Sequence, residues 1–354
     1  MAAAAVNQPD IKFIDCRKEP FKIYGLMDAY GPGPMRRTPV GAFKGLKNLE
    51  ALAANTAGGR VRFKTDSEYV AVLAKFDKVC HMAHMPLTGS VGMDMYSKEK
   101  EGYVFAGVFK PGGDEPLKKL KDEGGYTAII RLEGKRMRDI TINLPLYNGL
   151  DALYIGLSPD ASLEAAPPYI DMPPVVYYGS SITQGGCASR PGNAYEAIVS
   201  RRFNMDFLNL GFSGNAKGEK RVRDFILSLD MSVFVLDYDY NAPDVNHLKR
   251  THYKMYRAVR DKFNDLEIVL ATRPDPTLCR DQMVRREVIL GTYEKALVSG
   301  DKHVRFVDGS AVFSVFGDDS CTVDGVHPND LGFMCMAKAF GDAIEDALFK
   351  NSYM

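Results

Sequence analysis

The stretch VVYYGSSITQGG, residues 175–186, passes from four apolar or aromatic residues into a cluster of glycine, serine and threonine. A short run of β-branched and aromatic residues is typical of a buried strand, and small polar residues after it are typical of a turn. Further strand-like runs follow, with helical segments among them, and this alternation predicts a parallel sheet covered on both faces. The strand-like runs lie at 175–179, 206–211, 233–238, 267–272 and 304–309. The helical segments lie at 193–203, 247–263, 281–297 and 329–348, the last with Asn329 or Asp330 placed to cap it.

Residues 1–160 show a different pattern, in which strand-like runs are separated by turns such as PGGD (111–114) and DEGG (122–125). Several short strands with tight turns predict an all-β sandwich or jelly roll. Residues 161–174 belong to a stretch rich in proline, alanine and aspartate, which indicates a linker. We therefore predict a jelly-roll-like β-sandwich domain at 1–160, a linker at 161–174 and a parallel α/β domain at 175–354. The β-rich runs lie at 60–77, 103–110, 126–132 and 138–146.

The composition is that of an ordinary globular chain, and its length of 354 residues suits two domains. Hydrophobic residues make up 45% and charged residues 25%, so a sizeable core can be buried. Lys plus Arg and Asp plus Glu both number 45, and this zero net charge argues against a nucleic-acid partner. No run approaches the ~18–20 apolar residues that a membrane span requires. We therefore expect neither nucleic acid nor membrane as a partner.

The cysteines and the chain start give little evidence of location or redox chemistry. None of the six cysteines forms a C-x-x-C pair, so a zinc ribbon or thioredoxin-type site has no support, and we expect small core hydrophobes. The start MAAAAVNQPD (1–10) has neither a basic segment nor a long apolar core, so we do not predict a signal peptide. The compartment stays open, because a leader removed earlier would leave such a start too. The cysteines are Cys16, Cys80, Cys187, Cys279, Cys321 and Cys335.

Small polar residues gather at the ends of the strand-like runs, where open parallel sheets bind their ligands. GSSIT (179–183), GFSGN (211–215) and DYNAP (239–243) each follow such a run, and DGVHP (324–328) stands near the C-terminus. The ends of parallel strands open on one rim, so these side chains and amides can converge there.

Acyl transfer to a serine needs a histidine to take the serine proton, a carboxylate to orient the imidazole, and donors for the oxyanion. In DGVH the carboxylate precedes the histidine by three residues, so Asp324 can accept from Nδ1–H of His327 while Nε2 faces a serine. These residue types together predict a serine hydrolase.

Other motifs fail on detail. The nucleophile elbow G-x-S-x-G does not fit, because Thr183 stands where the second glycine should be. GFSGNAKG (211–218) has neither the G-x-G-x-x-G spacing of a dinucleotide loop nor the G-K-[ST] of a P-loop. HMAH (81–84) has no accompanying carboxylate or cysteine pattern. We therefore predict no nucleotide cofactor and no metal.

The four blocks YGSSITQGG, NLGFSGN, DYNAP and DGVHPNDLGF resemble, in this order, the conserved blocks of the SGNH (GDSL-type) hydrolases. The resemblance covers residues 172–350. VGMDMY (91–96) further resembles the GxDLY signature of a β-sandwich domain found in front of one branch of these esterases. The resemblance implies a flavodoxin-like three-layer α/β fold for the second half of the chain.

The resemblance also implies roles for five residues. Ser181, two residues after the glycine of the first block, corresponds to the nucleophile. His327 corresponds to the base and Asp324 to the carboxylate that orients it. Gly214 and Asn241, with the backbone N–H of Ser181, would form the oxyanion hole.

The sequence departs from the family pattern at two places. Ser180 stands where the first block usually has aspartate, which removes a carboxylate beside the nucleophile but no triad member. The third block usually reads G-x-N-D, whereas this chain has Asp239, Tyr240, Asn241 and Ala242. The asparagine is present, but the residues around it differ from the family pattern.

We expect a serine esterase that hydrolyses small acyl esters, acetyl esters on carbohydrate above all, without a metal or organic cofactor. The sugar preference follows from the resemblance, and 18 Tyr and 19 Phe can supply stacking in a chain without Trp. Two alternatives stay open: an acyltransferase that uses the same acyl-enzyme, and a carbohydrate-binding protein with a vestigial triad. The role of the β-rich domain and the oligomeric state stay open as well.

Overall fold

A computed structural model describes residues 7–100, 102–274, 280–314 and 318–349 of the chain. In these residues an all-β part precedes an α/β part. The strands are β1 (Lys12–Asp15), β2 (Lys22–Tyr24), β3 (Arg60–Thr65), β4 (Tyr69–Lys75), β5 (Met93–Glu99), β6 (Gly102–Phe109), β7 (Gly125–Arg131), β8 (Arg138–Asn143), β9 (Ala152–Leu157), β10 (Leu163–Glu164), β11 (Val175–Gly179), β12 (Phe207–Gly211), β13 (Val233–Asp237), β14 (Glu267–Ala271) and β15 (Val304–Val307). The α-helices are α1 (Lys47–Leu52), α2 (Leu87–Ser90), α3 (Pro116–Glu123), α4 (Tyr195–Phe203), α5 (Lys220–Ile226), α6 (Val245–Lys262), α7 (Arg280–Val298), α8 (Gly309–Val312) and α9 (Asp330–Leu348).

Contacts between Cα atoms divide the chain into two units, and each unit includes a short segment that lies in sequence among residues of the other. The predicted boundaries 1–160, 161–174 and 175–354 are contiguous and stay a prediction; the contact-based units differ from them at 41–52 and 188–192. The predicted linker also contains the two-residue strand β10, which pairs with β3. The first unit comprises Met1–Val40, Ala53–Tyr169 and Ala188–Gly192, and the second comprises Gly41–Leu52, Ile170–Cys187 and Asn193–Met354.

The first unit contains two antiparallel sheets. One has the strand order β1-β9-β4-β7, and the other has the order β10-β3-β8-β5-β6, with β2 paired to β3. Side chains from both sheets enter one apolar core, among them Val70 and Val72 of β4 and Val61 and Phe63 of β3. This sharing of a core between two sheets makes a β-sandwich. The prediction of an all-β sandwich is confirmed.

Several strands of the first unit were not predicted from the sequence: β1, β2, β5, β9 and β10. The strands β1 and β2 have only four and three residues, too few for a clear alternation. The strand β5 reads MDMYSKE and buries the carboxylate of Asp94, so its pattern is not that of an apolar face.

The second unit contains a five-stranded parallel sheet in the order β12-β11-β13-β14-β15. Numbered from its own first strand, this order is 2-1-3-4-5, that of the flavodoxin-like fold, whose ligand site lies where the strand order reverses. Residues Val175–Gly179 of β11 are all buried, as expected for a strand covered on both faces. The helix α4 packs against α9, and α6 packs against α7. The predicted fold class is confirmed.

The segment 41–52 completes the second unit beside β12. The ring of Phe43 is fully buried and packs edge-on against Phe212 and Phe225, with ring centroids 5.3 Å and 5.2 Å away. Nε of Arg221 donates to the carbonyl oxygen of Ala42 at 3.2 Å. This segment therefore supplies core to the α/β unit although it lies far from it in sequence.

The cysteines agree in part with the expectation of core hydrophobes. Cys16, Cys187 and Cys321 are buried, Cys335 is half-buried and Cys80 is exposed, while Cys279 lies outside the described residues. Residues 1–6 of the chain start also lie outside them. Among the helices that the structure describes, none combines the length and the apolar character needed to cross a bilayer.

Candidate active site

The two serines that follow β11 have different surroundings. Oγ of Ser180 accepts the backbone N–H of Ile182 at 3.1 Å, so this hydroxyl closes the turn. Oγ of Ser181 instead lies 2.9 Å from Nε2 of His327. The loop is held further by its own backbone, since the N–H of Gly186 donates to the carbonyl oxygen of Ser181 at 2.8 Å. Only Ser181 is therefore placed to transfer a proton to the imidazole.

Asp324 completes a chain of hydrogen bonds with the same histidine. Nδ1 of His327 lies 2.8 Å from Oδ2 of Asp324. The other carboxylate oxygen accepts the backbone N–H groups of Val326 at 3.0 Å and His327 at 2.8 Å. Partial burial acts to raise the pKa of Asp324, but the backbone and imidazole hydrogen bonds outweigh it and hold this pKa at about 2. The carboxylate is thus ionised wherever the imidazole can act as a base.

The Asp324–His327 turn is fixed by its neighbours on both sides. Gly325 has φ of +82°, a conformation that favours glycine, and its N–H donates to Oγ1 of Thr322 at 3.1 Å. The N–H of Val323 donates to the carbonyl oxygen of His327 at 2.8 Å. Asn329 caps α9, with Oδ1 accepting the N–H of Gly332 at 3.1 Å, as one of the two predicted caps. The helix therefore begins directly after the turn and holds it.

Gly214 and Asn241 follow the two strands that flank β11. Gly214 has φ of +67°, and a Cβ added there would meet nothing within 4 Å. Its backbone N–H donates to no acceptor within the described part of the chain. Nδ2 of Asn241 donates to the carbonyl oxygen of Phe212 at 2.8 Å, and an asparagine amide carries a second N–H. Both residues thus retain a donor that an oxyanion could use.

Two residues that the sequence did not single out join the strand-end loops. Oε1 of the buried Gln184 accepts the N–H of Ser213 at 3.1 Å, which ties the serine loop to the Gly214 loop. Nδ2 of the buried Asn209 donates to the carbonyl oxygen of Thr183 at 2.6 Å. Both residues stand inside blocks quoted in the sequence analysis, but their roles depend on partners more than twenty positions away, which neither block reveals.

Glycines allow these strand ends to approach each other. Gly179 pairs with Gly211 on one side and with Asp237 on the other. A Cβ on Gly179 would overlap Oγ1 of Thr183 and the carbonyl oxygen of Asp237, and one on Gly211 would overlap the backbone at Gln184. The serine loop can therefore fold over the sheet only while both positions are glycine.

A buried carboxyl group, Asp237, lies beneath the serine loop. Its Oδ2 accepts the hydroxyl groups of Thr183 at 3.2 Å and Tyr195 at 3.3 Å. Burial raises the pKa of Asp237 to about 8, although these two hydrogen bonds act in the opposite direction. The group is therefore protonated at neutral pH in the folded protein.

Cys187 lies at the end of the serine loop with φ of +72°. Burial, with a smaller contribution from the charge of Asp324, raises the pKa of its thiol to about 12. A protonated thiol is a poor nucleophile, so Cys187 does not compete with Ser181 for that role.

The VGMDMY stretch of the first unit places Asp94 on β5 with its carboxylate fully buried. Asp94 accepts Nδ2 of Asn143 at 2.8 Å, Nη1 of Arg190 at 2.8 Å and the N–H of Gly192 at 2.9 Å. The guanidinium of Arg190 also lies 4.0 Å from the ring centroid of Phe105. The signature aspartate therefore anchors the segment Ala188–Gly192 within the first unit.

His81 and His84 of HMAH are both exposed.

Comparison with known proteins gives two family matches. Residues 172–345 match the GDSL-like Lipase/Acylhydrolase family, and residues 11–163 match a family described as "N-terminus of Esterase_SGNH_hydro-type". No curated protein matches the chain.

Solved structures similar to this chain cover nearly all of it. A Bacteroides ovatus ATCC 8483 protein described as a GDSL-like lipase has 28% identity and a TM-score of 0.83, over 96% of this chain and 98% of that one. A salicylyl-acyltransferase from a tetracycline biosynthetic pathway has 17% identity and a TM-score of 0.75, over 96% and 98%. A family two carbohydrate esterase from Clostridium thermocellum, solved with cellohexaose, has 14% identity and a TM-score of 0.61, over 93% and 99%. The last two share the fold with this chain.

Proposed function

Because the chain belongs to the GDSL-like lipase/acylhydrolase (SGNH) family, we propose that it hydrolyses small acyl esters through an acyl-enzyme on Ser181. Acetyl esters on a carbohydrate are the substrates that we propose first. The observation that carries the proposal is the chain of hydrogen bonds from Ser181 through His327 to Asp324, at 2.9 Å and 2.8 Å.

In the proposed acylation, Oγ of Ser181 attacks the ester carbonyl carbon while Nε2 of His327 takes the serine proton. The ionised Asp324 stabilises the imidazolium through Nδ1–H. The resulting tetrahedral oxyanion accepts hydrogen bonds from the N–H of Gly214, the second N–H of Asn241 and the N–H of Ser181. Removal of one such donor typically costs 10²–10³-fold in kcat. Collapse expels the alkoxide, which takes the proton from His327.

In deacylation, a water molecule attacks the acyl-enzyme and gives a proton to His327. The second tetrahedral intermediate uses the same donors, and its collapse returns the proton to Oγ of Ser181 and releases the carboxylic acid. The same groups serve both halves of the reaction, so the proposal requires no residue beyond these five.

The carbohydrate part of the proposal rests on likeness of fold. The Clostridium thermocellum structure is that of a carbohydrate esterase with a bound cello-oligosaccharide, and its fold covers most of this chain. We carry over only the substrate class, an ester of a sugar hydroxyl. If an alcohol attacked the acyl-enzyme in place of water, the protein would act as an acyltransferase. The products must therefore be identified as well as the rate.

Labelling with a fluorophosphonate tests the proposal. The reagent should modify Ser181, located by mass mapping of the labelled peptide, and wild type should release p-nitrophenol from p-nitrophenyl acetate. Ser181→Ala should abolish both while Ser180→Ala retains much of the activity, because the Ser180 hydroxyl only closes a turn. Label on Ser180, or activity surviving Ser181→Ala, would refute the assignment.

A second measurement addresses the substrate. Acetylated xylo- or cello-oligosaccharide should release acetate, and addition of an acceptor alcohol should leave acetate as the main product. Acetyl transfer to the acceptor would identify an acyltransferase. Glycan binding with no turnover of any ester would identify a binding protein with a vestigial triad.

A further inference from the structure

The turn that contains Asn241 is held in place by hydrogen bonds from Arg285. After β13 the chain makes a single 3-10 turn, Asp239–Asn241. Nη1 of Arg285, on α7, donates to the carbonyl oxygen of Asp239 at 3.1 Å and to its Oδ1 at 3.3 Å. Nη2 of Arg285 donates to the carbonyl oxygen of Ala242 at 3.1 Å. The guanidinium thus bridges the residues before and after the tip of the turn.

Arg285 is itself fixed. Its Nε donates to Oδ2 of Asp281, one turn earlier on α7, at 2.7 Å. The side chains of Arg285 and Asp239 are both buried, so water does not compete for these contacts. Burial raises the pKa of Asp239, while the positive charges of Arg273 and Arg285 act against that rise. Four hydrogen bonds from the guanidinium, one to Asp281, one to Ala242 and two to Asp239, set the geometry of this buried ion pair.

The remaining residue of the turn, Tyr240, is held by the segment that follows β14. The hydroxyl of Tyr240 donates to the carbonyl oxygen of Pro274 at 3.0 Å, and the guanidinium of Arg273 lies 5.1 Å from the Tyr240 ring centroid. The N–H of Arg273 donates to Oδ2 of Asp239 at 3.4 Å. The flanking residues are therefore all fixed, and the Asn241 side chain extends toward the carbonyl oxygen of Phe212.

We propose that Arg285 is a positioning residue that, with Asp239, fixes the turn 239–242 so that Asn241 presents its second N–H to the oxyanion. The inference rests on the proposed function, because it assigns Arg285 a role through the donor used there. Arg285 does not touch the substrate. Its guanidinium acts only through the backbone on both sides of Asn241.

A lysine cannot reproduce this arrangement. It offers one ammonium group in place of a planar fork, so it cannot reach Asp239, Ala242 and Asp281 together. Arg286 supplies a matched control, because it is the next residue on the same helix and also pairs with an aspartate. Nε of Arg286 donates to Oδ1 of Asp308 at 3.0 Å, away from the turn 239–242.

A double-mutant cycle between Arg285 and Asn241 tests the proposal. With p-nitrophenyl acetate, Arg285→Met should lower kcat about 10–100-fold with KM nearly unchanged, a smaller loss than removal of an oxyanion donor causes, because the Asn241 amide is misplaced but still present. In the Asn241→Ala background the same change should cost less than about 3-fold, because the donor it positions is already absent. Equal losses in both backgrounds would overturn the proposal. Arg286→Met should change kcat less than about 2-fold in either background.

A second pair of variants separates positioning from loss of folding. Arg285→Met leaves the Asp239 carboxylate buried without its partner, whereas Asp239→Asn combined with Arg285→Met removes both charges. The paired variant should unfold at a temperature near that of wild type and still lose kcat. A paired variant with wild-type kcat would overturn the proposal.

Hydrogen exchange gives a readout that does not depend on activity. The amides of Asn241 and Ala242 donate to Tyr238 and Asp239 in the native turn, at 3.0 Å and 3.1 Å. In the full-length protein, Arg285→Met should speed exchange of a peptide spanning 238–243, and Arg286→Met should not. Unchanged exchange in Arg285→Met would overturn the positioning role. A wild type without esterase activity would refute the proposed function, and the exchange rates would still decide whether Arg285 holds the turn.

Discussion

The hydroxyl of Thr183 donates to Oδ2 of Asp237 at 3.2 Å, so the serine loop rests on a carboxyl group at the end of β13. Asp237 lies next to the third strand-end turn, and Thr183 lies two residues after the proposed nucleophile. The protonation state of Asp237 therefore affects the structure that supports the serine loop.

The raised pKa of Asp237 predicts a pH-dependent stability. The unfolded chain loses this proton near pH 3.9, whereas the folded chain keeps it up to a pKa of about 8. Between these values the folded state binds more protons than the unfolded state, so the free energy of unfolding should fall as pH rises from about 4 to about 8. Asp237→Asn should flatten this slope, and at pH 8 it should be more stable than wild type by about 1–3 kcal/mol.

Urea unfolding at pH 5, 6, 7 and 8 measures this slope. Asp224→Asn is a suitable control, because Asp224 is an exposed carboxylate paired with Lys220 on α5, and its pKa is lowered by that pairing. The control should keep the wild-type slope over this range. A slope that survives Asp237→Asn would show that another group causes it.

Asp324→Asn should lower kcat by about 10³–10⁴-fold with little change in KM. The carboxylate accepts three N–H groups, and an asparagine would direct its own N–H₂ at one of those donors. The imidazole would then lose the partner that orients it. Steady-state kinetics with p-nitrophenyl acetate provide the measurement. Asp342→Asn, at a residue that forms a surface ion pair with Lys338 on α9, should stay within about 2-fold of wild type. A similar loss in both variants would contradict the specific role of Asp324.

Asn241→Ala should lower kcat by about 10²–10³-fold, the loss expected for one oxyanion donor. Asn215→Ala serves as the comparison, since the Asn215 amide donates to the carbonyl oxygen of Ser213 within the neighbouring loop. We expect less than a 10-fold loss for that variant. Comparable losses in the two variants would remove the reason to assign Asn241 to the oxyanion hole.

Gly179→Ala and Gly211→Ala should each abolish activity and destabilise the fold, because the added Cβ would overlap backbone or side-chain atoms of the serine loop. Gly214→Ala has space for its Cβ and keeps its N–H, so it should cost only about 1 kcal/mol for its positive φ. Thermal unfolding and kcat would separate these cases. Gly291→Ala, in α7 with open space around it, should leave activity unchanged, and loss of activity there would argue against the steric explanation.

The resemblance to the SGNH hydrolases and the fold class were both predicted from the sequence and are confirmed. The five parallel strands were located within one or two residues, because buried parallel strands are short continuous apolar runs such as VVYYG. The β-sandwich was harder to divide into strands. Asp94 is tolerated on β5 only because Asn143 and Arg190, 49 and 96 positions away, hydrogen-bond to it. No local pattern could reveal that.

The roles of Ser181, His327, Asp324, Gly214 and Asn241 stay predictions, which the geometry supports and the variants above test. The residues around them could not be predicted, for a physical reason. Arg285 stands in a helix among several charged residues, where an arginine is usually a solvated surface group. Its hydrogen bonds to Asp239 and Ala242, 46 and 43 positions earlier, distinguish it from Arg286. The departure from G-x-N-D at Asp239 was visible in the sequence, but its partner was not.

The burial of Phe43 between Phe212 and Phe225 limits how this protein can be divided or recombined. A gene fragment that begins at the sequence-predicted linker would encode the parallel sheet without residues 41–52. Such a fragment would expose the rings of Phe212 and Phe225 to water. The carbonyl oxygen of Phe212 is the one that accepts the hydrogen bond from the Asn241 side chain. The α/β half by itself would thus lack Phe43, which is part of its own core. Evolution can exchange this half between proteins only together with a segment encoded more than a hundred codons upstream.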